Sequence, residues 1–403
     1  METCLISNSS IELGNEEFLI EALRLVVSQV DAFVVPNNSA RIENLSNLMF
    51  LRSILKDNES KNEYDKLLVK LFAIDFMNKK RACSRFIVHN DEFWEEIHRI
   101  EENIDIPNME NYGDYGDNVI FKESFAMDPY SYKDICRVNP GDVVIDCGAY
   151  VGDTAYVFNE KMGGCGFIYA FEPLPENFIK LKKNIEYLKL QDKIMPINAG
   201  VADKEGKISF SCNENNHGAS RINSEGNIQI DVTTIDAFFE ANSTMSKVDF
   251  IKMDIEGAEV SALKGAKNII KRFRPRLAIC IYHKVEDHWE IPQLILSIDD
   301  RYEFYLRHHT ENNTETVLYC VPVDYTPCRC DKNIYDNQMI DTIQKLYIET
   351  HRKLRANARW SDNKYKELEQ NINEMKESTE YRFGKLVTFI PRKIRNTKQK
   401  TKR

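Results

Sequence analysis

Three groups of residues in this chain have the type and spacing to do chemistry. The first is Val143-Val144-Ile145-Asp146-Cys147-Gly148-Ala149-Tyr150-Val151-Gly152-Asp153-Thr154, an apolar run that ends in an acid and then a Gly-x-x-x-Gly turn. The second is Ile168-Tyr169-Ala170-Phe171-Glu172-Pro173, another apolar run ending in an acid, 26 residues further on. The third is split. Asp254 and Glu256 follow the run Val248–Met253, and His283 follows Arg276–Tyr282. Carboxylates and a histidine at strand ends can orient a hydroxyl and take its proton. Glu256 and Glu259 can also simply begin a helix and meet its dipole, and His283 can be a hydrogen-bonded strand-end residue.

Apolar runs of this kind form buried parallel strands. The crevice after the first strand of an open parallel sheet is where nucleotide-like groups sit. Glycines there let the backbone turn tightly and a ligand come close. An acid one strand-helix-strand unit later can accept hydrogen bonds from both ribose hydroxyls. A dinucleotide site needs G-x-G-x-x-G, and here Tyr150 stands where the second glycine should be. No gap is left for a pyrophosphate. A cofactor with a ribose and no pyrophosphate fits, and S-adenosylmethionine is such a cofactor.

The elements that position these groups alternate. Strands are expected at Asp142–Cys147, Phe167–Glu172, Ile194–Val201, Val248–Met253 and Arg276–Tyr282. Helices are expected from Asp153, read as an N-cap, and over Asn177–Leu190, Thr234–Glu240, Ala258–Ile270 and Val285–Ile298. Lys207–Phe210 and Ile228–Val232 read as a hairpin-like insertion around a polar stretch. Tyr302–His309 and Glu315–Val321 are separated by too short a loop for anything but antiparallel pairing. The fold class is therefore α/β: a Rossmann-like parallel sheet that gains a terminal antiparallel hairpin, with helical segments on either side in sequence.

The order of motifs resembles FkbM-type S-adenosylmethionine-dependent methyltransferases. Four stretches carry the resemblance, Asp146 to Thr154, Phe171-Glu172-Pro173, Asn198-Ala199-Gly200-Val201 and Ile251-Lys252-Met253-Asp254-Ile255-Glu256-Gly257-Ala258-Glu259. Pro275-Arg276-Leu277 through Tyr282-His283-Lys284 also matches. The resemblance spans residues 118–322 and implies a seven-stranded sheet and O-methylation, commonly of sugars or glycan-like products. It implies that Gly148, Ala149 and Gly152 shape the loop around the methionine part. Asp146 would orient that loop and the cofactor ammonium, Glu172 would hold the ribose, and Gly200 and Val201 would meet the adenine edge. Asp254, Glu256 and His283 are the candidates for acceptor alignment and proton removal. No metal is expected, since nothing in the spacing demands one.

Outside this domain the sequence is plainer. Residues 1–115 read as a helical domain, with apolar residues at helical spacing from Phe18 to Val30, Leu45 to Leu55, Tyr64 to Met77 and around Trp94. His89 and His98 there read as surface residues, and Ile106–Asp117 as a linker. Residues 335–379 read as a charged helix whose Tyr365, Leu368, Ile372 and Met375 could form a short coiled-coil seam and an oligomer contact. The net charge is −9, which argues against a general nucleic-acid binder. Yet within the tail, residues 380–403, the stretch from Tyr381 to the end holds nine Lys or Arg and no acid. With Phe383, Leu386, Val387 and Ile390 on one helical face, it reads as a possible contact with an anionic membrane surface. Ten cysteines are scattered, and Cys328-Arg329-Cys330 lacks the second pair of a zinc site. Reduced thiols, no signal peptide and no apolar run of membrane-spanning length point to a cytoplasmic enzyme, peripheral to a membrane at most. Methylation of a small natural product, or a non-catalytic scaffold in glycan assembly, are the rival functions.

Overall fold

The computed structural model describes residues 41, 44–76, 95, 97, 126–211, 221–222, 228–242, 245–310 and 314–323. The early helix Phe18–Val30, His89, His98, the linker, Cys328 and Cys330, the charged helix and the basic tail lie outside them. The chain divides into two compact units, one of Met1–Ser53, Tyr64–Val88 and Cys328–Arg403, the other of Ile54–Glu63 and His89–Pro327.

In the second unit, seven strands form one sheet. They are β1 (Val143–Cys147), β2 (Phe167–Phe171), β3 (Ile194–Ile197), β8 (Phe250–Met253), β9 (Arg276–Cys280), β10 (Tyr302–His308) and β11 (Thr316–Pro322), in the order β10-β11-β9-β8-β1-β2-β3. All neighbours pair in parallel except β11, which is antiparallel to both β9 and β10. The interior of the sheet is buried on both faces, which is why β1 and β8 read as continuous apolar runs. Register puts Asp146 beside Lys252 and Cys147 beside Met253.

Helices α3 (Asp153–Lys161), α4 (Pro175–Tyr187), α6 (Glu259–Lys264), α7 (Lys267–Phe273) and α8 (Asp287–Ile298) connect the strands. Pro175 opens α4 at a position where its missing N–H costs nothing. Leu181 and Ile185, one turn apart on α4, join Phe158 of α3 and Val144, Ile168 and Phe250 of the sheet in one core. Leu181→Ala would cost about 2–5 kcal/mol by the usual range for a buried leucine.

Three expectations need correction. Asp153 is the first residue of α3, not its cap; Gly152 caps the helix in a left-handed conformation, without a side-chain hydrogen bond. The expected third strand breaks after Ile197, and β4 (Gly200–Val201) starts a second sheet with β5 (Gly206–Ser211), β6 (Arg221–Ile222) and β7 (Ile228–Thr233) in the order β4-β7-β5-β6. The expected helix Ala258–Ile270 is two helices. A side chain on Gly265 would come within 2.0 Å of the Ala202 carbonyl oxygen, so the backbones meet there and the helix turns. Helix α5 (Ile235–Ala241) has a true cap, the Thr234 hydroxyl accepting from Ala237 N at 2.9 Å.

The first unit includes all but the last residue of helix α1 (Leu45–Ile54) and the larger part of α2 (Asn58–Phe76). Leu45, Leu48, Leu51, Leu67, Leu68 and Phe72 are buried. The Arg52 guanidinium grips the buried Asp65 carboxylate with two bonds, at 2.6 and 2.9 Å.

Candidate active site

The loop after β1 is held by β2. Gly148 N and Ala149 N both donate to the Phe171 carbonyl oxygen, at 3.0 and 2.9 Å. Gly148, Tyr150 and Gly152 have φ of +84°, +47° and +99°. A Cβ on Gly148 would sit 2.0 Å from the Asp254 carbonyl oxygen, so only glycine fits between β1 and the end of β8.

Glu172 braces the same loop. Its carboxylate accepts from Tyr150 N at 3.0 Å and Leu174 N at 2.9 Å, and Asn177 Nδ2 approaches to 3.5 Å. Burial nevertheless pushes its pKa up to about 7. Asn198 Nδ2 donates to the Glu172 carbonyl oxygen at 2.9 Å and ties the segment before β4 to this corner. Gly200 is half-buried against Pro173 and Val232, and Val201 is buried.

Asp146 is fully buried, and neither carboxylate oxygen accepts a well-formed hydrogen bond. Its partner is Lys252, whose Nζ lies 3.2 Å from Asp146 Oδ1 and donates to the Gly148 carbonyl oxygen at 2.7 Å. The same ammonium stands 5.1 Å from the centre of the Tyr130 ring. Burial pushes Asp146 upward against the pull of Lys252. Burial also works to neutralise Lys252, but Asp146, Asp254 and Asp153 surround it and hold it protonated. The ion-paired state is the one this geometry favours, because the ammonium also needs the Gly148 carbonyl. Asp153, buried in the first turn of α3, is pushed up to about 6 by burial, with Lys252 opposing.

Asp254, at the end of β8, receives the hydroxyl of Tyr130 on Oδ2 and that of Tyr282 on Oδ1, each at 3.0 Å. Burial would raise its pKa. Lys252, then His283, then the two tyrosines outweigh that and hold it below the usual value. His283 Nε2 lies 3.6 Å from both Asp254 Oδ1 and Glu256 Oε2, and Nδ1 lies 3.0 Å from Glu259 Oε1. Burial would lower the His283 pKa, but Glu259 first, then Asp254 and Glu256, push it up to about 9. Ligand-type atoms of Asp254, Glu259 and His283 all lie within 4.8 Å of one another, and the imidazolium is the cation they share.

Asp254, Glu256 and His283 are thus brought together beside the loop of Gly148. Glu256 precedes α6 and has a φ of +55°, a strained position outside the helix. Glu259 is in the first turn of α6, but its carboxylate turns back to accept from Ile255 N at 3.0 Å and to hold His283. Sequence reasoning passed over Lys252, Tyr130, Tyr282 and Glu315. Lys252 left a signal, since a lysine inside a strand buried on both faces needs a carboxylate partner. Tyr130 left none, being 124 residues from Asp254 in sequence.

A parallel sheet ending in an antiparallel hairpin, with a glycine loop and acids at two successive strand ends, defines the S-adenosylmethionine-dependent methyltransferase class. Residues 146–311 match the methyltransferase FkbM domain. It is 28% identical over 131 residues to hexuronic acid methyltransferase AglP of Haloferax volcanii, a match covering 32% of this chain and 52% of that protein. The alignment thus spans about half the length of that relative. The crystal structure of methyltransferase FkbM from Methylobacillus flagellatus shares 23% identity at a TM-score of 0.48, over 70% of this chain and 60% of that one. TrmK of M. capricolum, solved with S-adenosyl-homocysteine, shares 14% identity at a TM-score of 0.34, over 60% and 92%.

The residues present fit the cofactor of this class. Asp146 Oδ1 faces Lys252 Nζ at 3.2 Å, and Oδ2 has no hydrogen-bond donor, which leaves an acceptor for a ligand ammonium. Glu172 has lone pairs left after its backbone donors for a ribose diol. Among the described residues no helix is long and apolar enough to cross a membrane.

Proposed function

We propose that the domain transfers the methyl group of S-adenosylmethionine to an oxygen of a sugar, with a uronic-acid-containing glycan as the first acceptor class to try. The observation that carries this is Asp254, a carboxylate kept ionised by Lys252 and His283 in a residue whose backbone carbonyl packs against Gly148. The cofactor supplies an electrophilic methyl on a sulfonium. In this reading Gly148, Ala149 and Gly152 shape its pocket, Asp146 and Glu172 hold its ammonium and ribose, and Gly200 and Val201 border its base. The protein aligns the acceptor oxygen with the methyl and excludes water.

Asp254 then takes the hydroxyl proton. His283 is already protonated at neutral pH, so it serves as the counter-charge of Asp254 rather than as the base. A weakly basic carboxylate suffices, because the proton leaves as the oxygen gains its new bond and becomes strongly acidic.

The named relative motivates the uronic acid. Such a sugar offers hydroxyls and a carboxylate. The test is transfer of labelled methyl from S-adenosylmethionine to uronic-acid glycosides by the purified full chain. An ether product, stable to mild base, supports the hydroxyl reading. A base-labile ester moves the target to the carboxylate. Cofactor binding with no transfer to any sugar favours the scaffold. The basic tail we assign to an anionic membrane surface on its apolar face before Pro391 and its charge, each cation there adding about 1 kcal/mol before screening. Equal sedimentation with anionic liposomes by the full chain and by one lacking residues 381–403 would remove that assignment.

A further inference from the structure

The Tyr282 hydroxyl lies between two carboxylates, 3.0 Å from Asp254 Oδ1 and 3.3 Å from Glu315 Oε1. It has one hydrogen and two acceptors to satisfy. When it donates to Asp254, the contact with Glu315 is a hydrogen bond only if Glu315 carries a proton and donates it. When it donates to Glu315, Asp254 must be the protonated partner. The three groups therefore form a chain in which one proton has two resting places and a phenol between them. Glu315 immediately precedes β11, at φ +56°. It lies beyond the residues of the family match, which stop at 311.

We propose that Tyr282 passes the acceptor's proton from Asp254 to Glu315, which makes Glu315 the proton store of the methyl transfer. The inference rests on the sugar O-methylation reading above. In the chemical step the hydroxyl oxygen forms its bond to the methyl carbon. The carbon–sulfur bond breaks and its electron pair stays on sulfur. The O–H proton goes to Asp254. Glu315, which carries the chain's one proton at rest, gives that proton to water. The proton on Asp254 then moves to the Tyr282 oxygen as the phenolic hydrogen moves to Glu315 Oε1, so Asp254 is ionised and Glu315 protonated again before the next acceptor binds.

The surroundings give the proton a reason to move this way. Lys252 and His283 stabilise a negative Asp254 and hold its pKa low. Burial, then the charge of Asp254, push Glu315 up to about 8, with Tyr282, Lys252 and His283 opposing. Cys280 Sγ also lies within 4.8 Å of both carboxylates, and burial keeps that thiol protonated. Tyr130 faces the same group and is likewise held neutral.

Two measurements test this. The first needs no acceptor: infrared difference spectra of protein with isotope-labelled glutamate, against pH. A protonated-carboxyl band lost near pH 8 is expected in the wild type, absent in Glu315→Gln and shifted in Tyr282→Phe. A missing band, or one that Tyr282→Phe does not move, overturns the store. The second is the pH dependence of kcat with a sugar acceptor. Glu315→Gln and Tyr282→Phe should each lower kcat by on the order of 100-fold, abolish the ionisation near pH 8 and leave cofactor affinity unchanged. The double variant should lose no more than either single one. Wild-type kcat and profile in Glu315→Gln overturns the relay. An infrared band behaving as described in a protein that methylates no sugar leaves the store standing and rejects the acceptor reading.

Discussion

Lys252 Nζ stands 3.2 Å from Asp146 Oδ1, with both side chains buried and each on the strand next to the other's. The pair links the two halves of the site. Asp146 ends the strand that carries the glycine loop, while Lys252 lies two residues before Asp254 on the strand that carries the acid. Lys252→Met removes one partner and leaves a buried carboxylate, a change worth about 3–5 kcal/mol in comparable buried pairs. Urea unfolding should show a lower midpoint with an unchanged slope. A midpoint within error of wild type would mean Asp146 is neutral in the fold.

Gly148→Ala should fold poorly or lose cofactor affinity, because its Cβ collides with the Asp254 carbonyl oxygen at 2.0 Å. Gly163 is the control. Its φ is +61°, but nothing lies within 4 Å of an added Cβ. Gly163→Ala should cost about 1 kcal/mol of backbone strain and leave calorimetric affinity for S-adenosylmethionine unchanged. Wild-type affinity in Gly148→Ala would place the cofactor elsewhere.

Asp254→Asn keeps the shape of the side chain, accepts from one of the two tyrosine hydroxyls and donates to the other, and takes up no proton. Turnover should fall by roughly 100-fold or more while the cofactor dissociation constant stays put. An equal loss in both quantities would make Asp254 part of the cofactor pocket instead.

His283 should titrate near pH 9 in the histidine proton spectrum. Its folded value exceeds the ordinary histidine value of about 6.5. Its stabilising contribution is therefore complete below that value and fades as pH rises through about 9. Glu259→Gln removes the carboxylate 3.0 Å from Nδ1, so the resonance should then titrate lower, toward the ordinary range. An unmoved titration would assign the shift to Asp254 and Glu256.

The alternation of strands and helices was legible because apolar runs and helical faces are local patterns. The break after Ile197 was not. Gly200 and Val201 read as a continued strand, and only their pairing with β7 takes them into another sheet. Gly265 looked like a glycine inside one helix, and the approach of Ala202 that bends it comes from 63 residues away. In the site, strand ends pointed to Asp146, Asp254 and His283. What they touch depended on Tyr130 and Glu315, which arrive from outside the alternating region and carry no local signature.

The order of strands sets the point in the chain at which the site is complete. β11 lies between β9 and β10 although it follows both in the chain. A chain that ends at His308 contains the glycine loop, Lys252, Asp254 and Tyr282 but lacks the strand that pairs with β9 on that side. Glu315 enters together with the strand that fills that gap. Closure of the sheet and the arrival of Glu315 are then one event in the order of the chain.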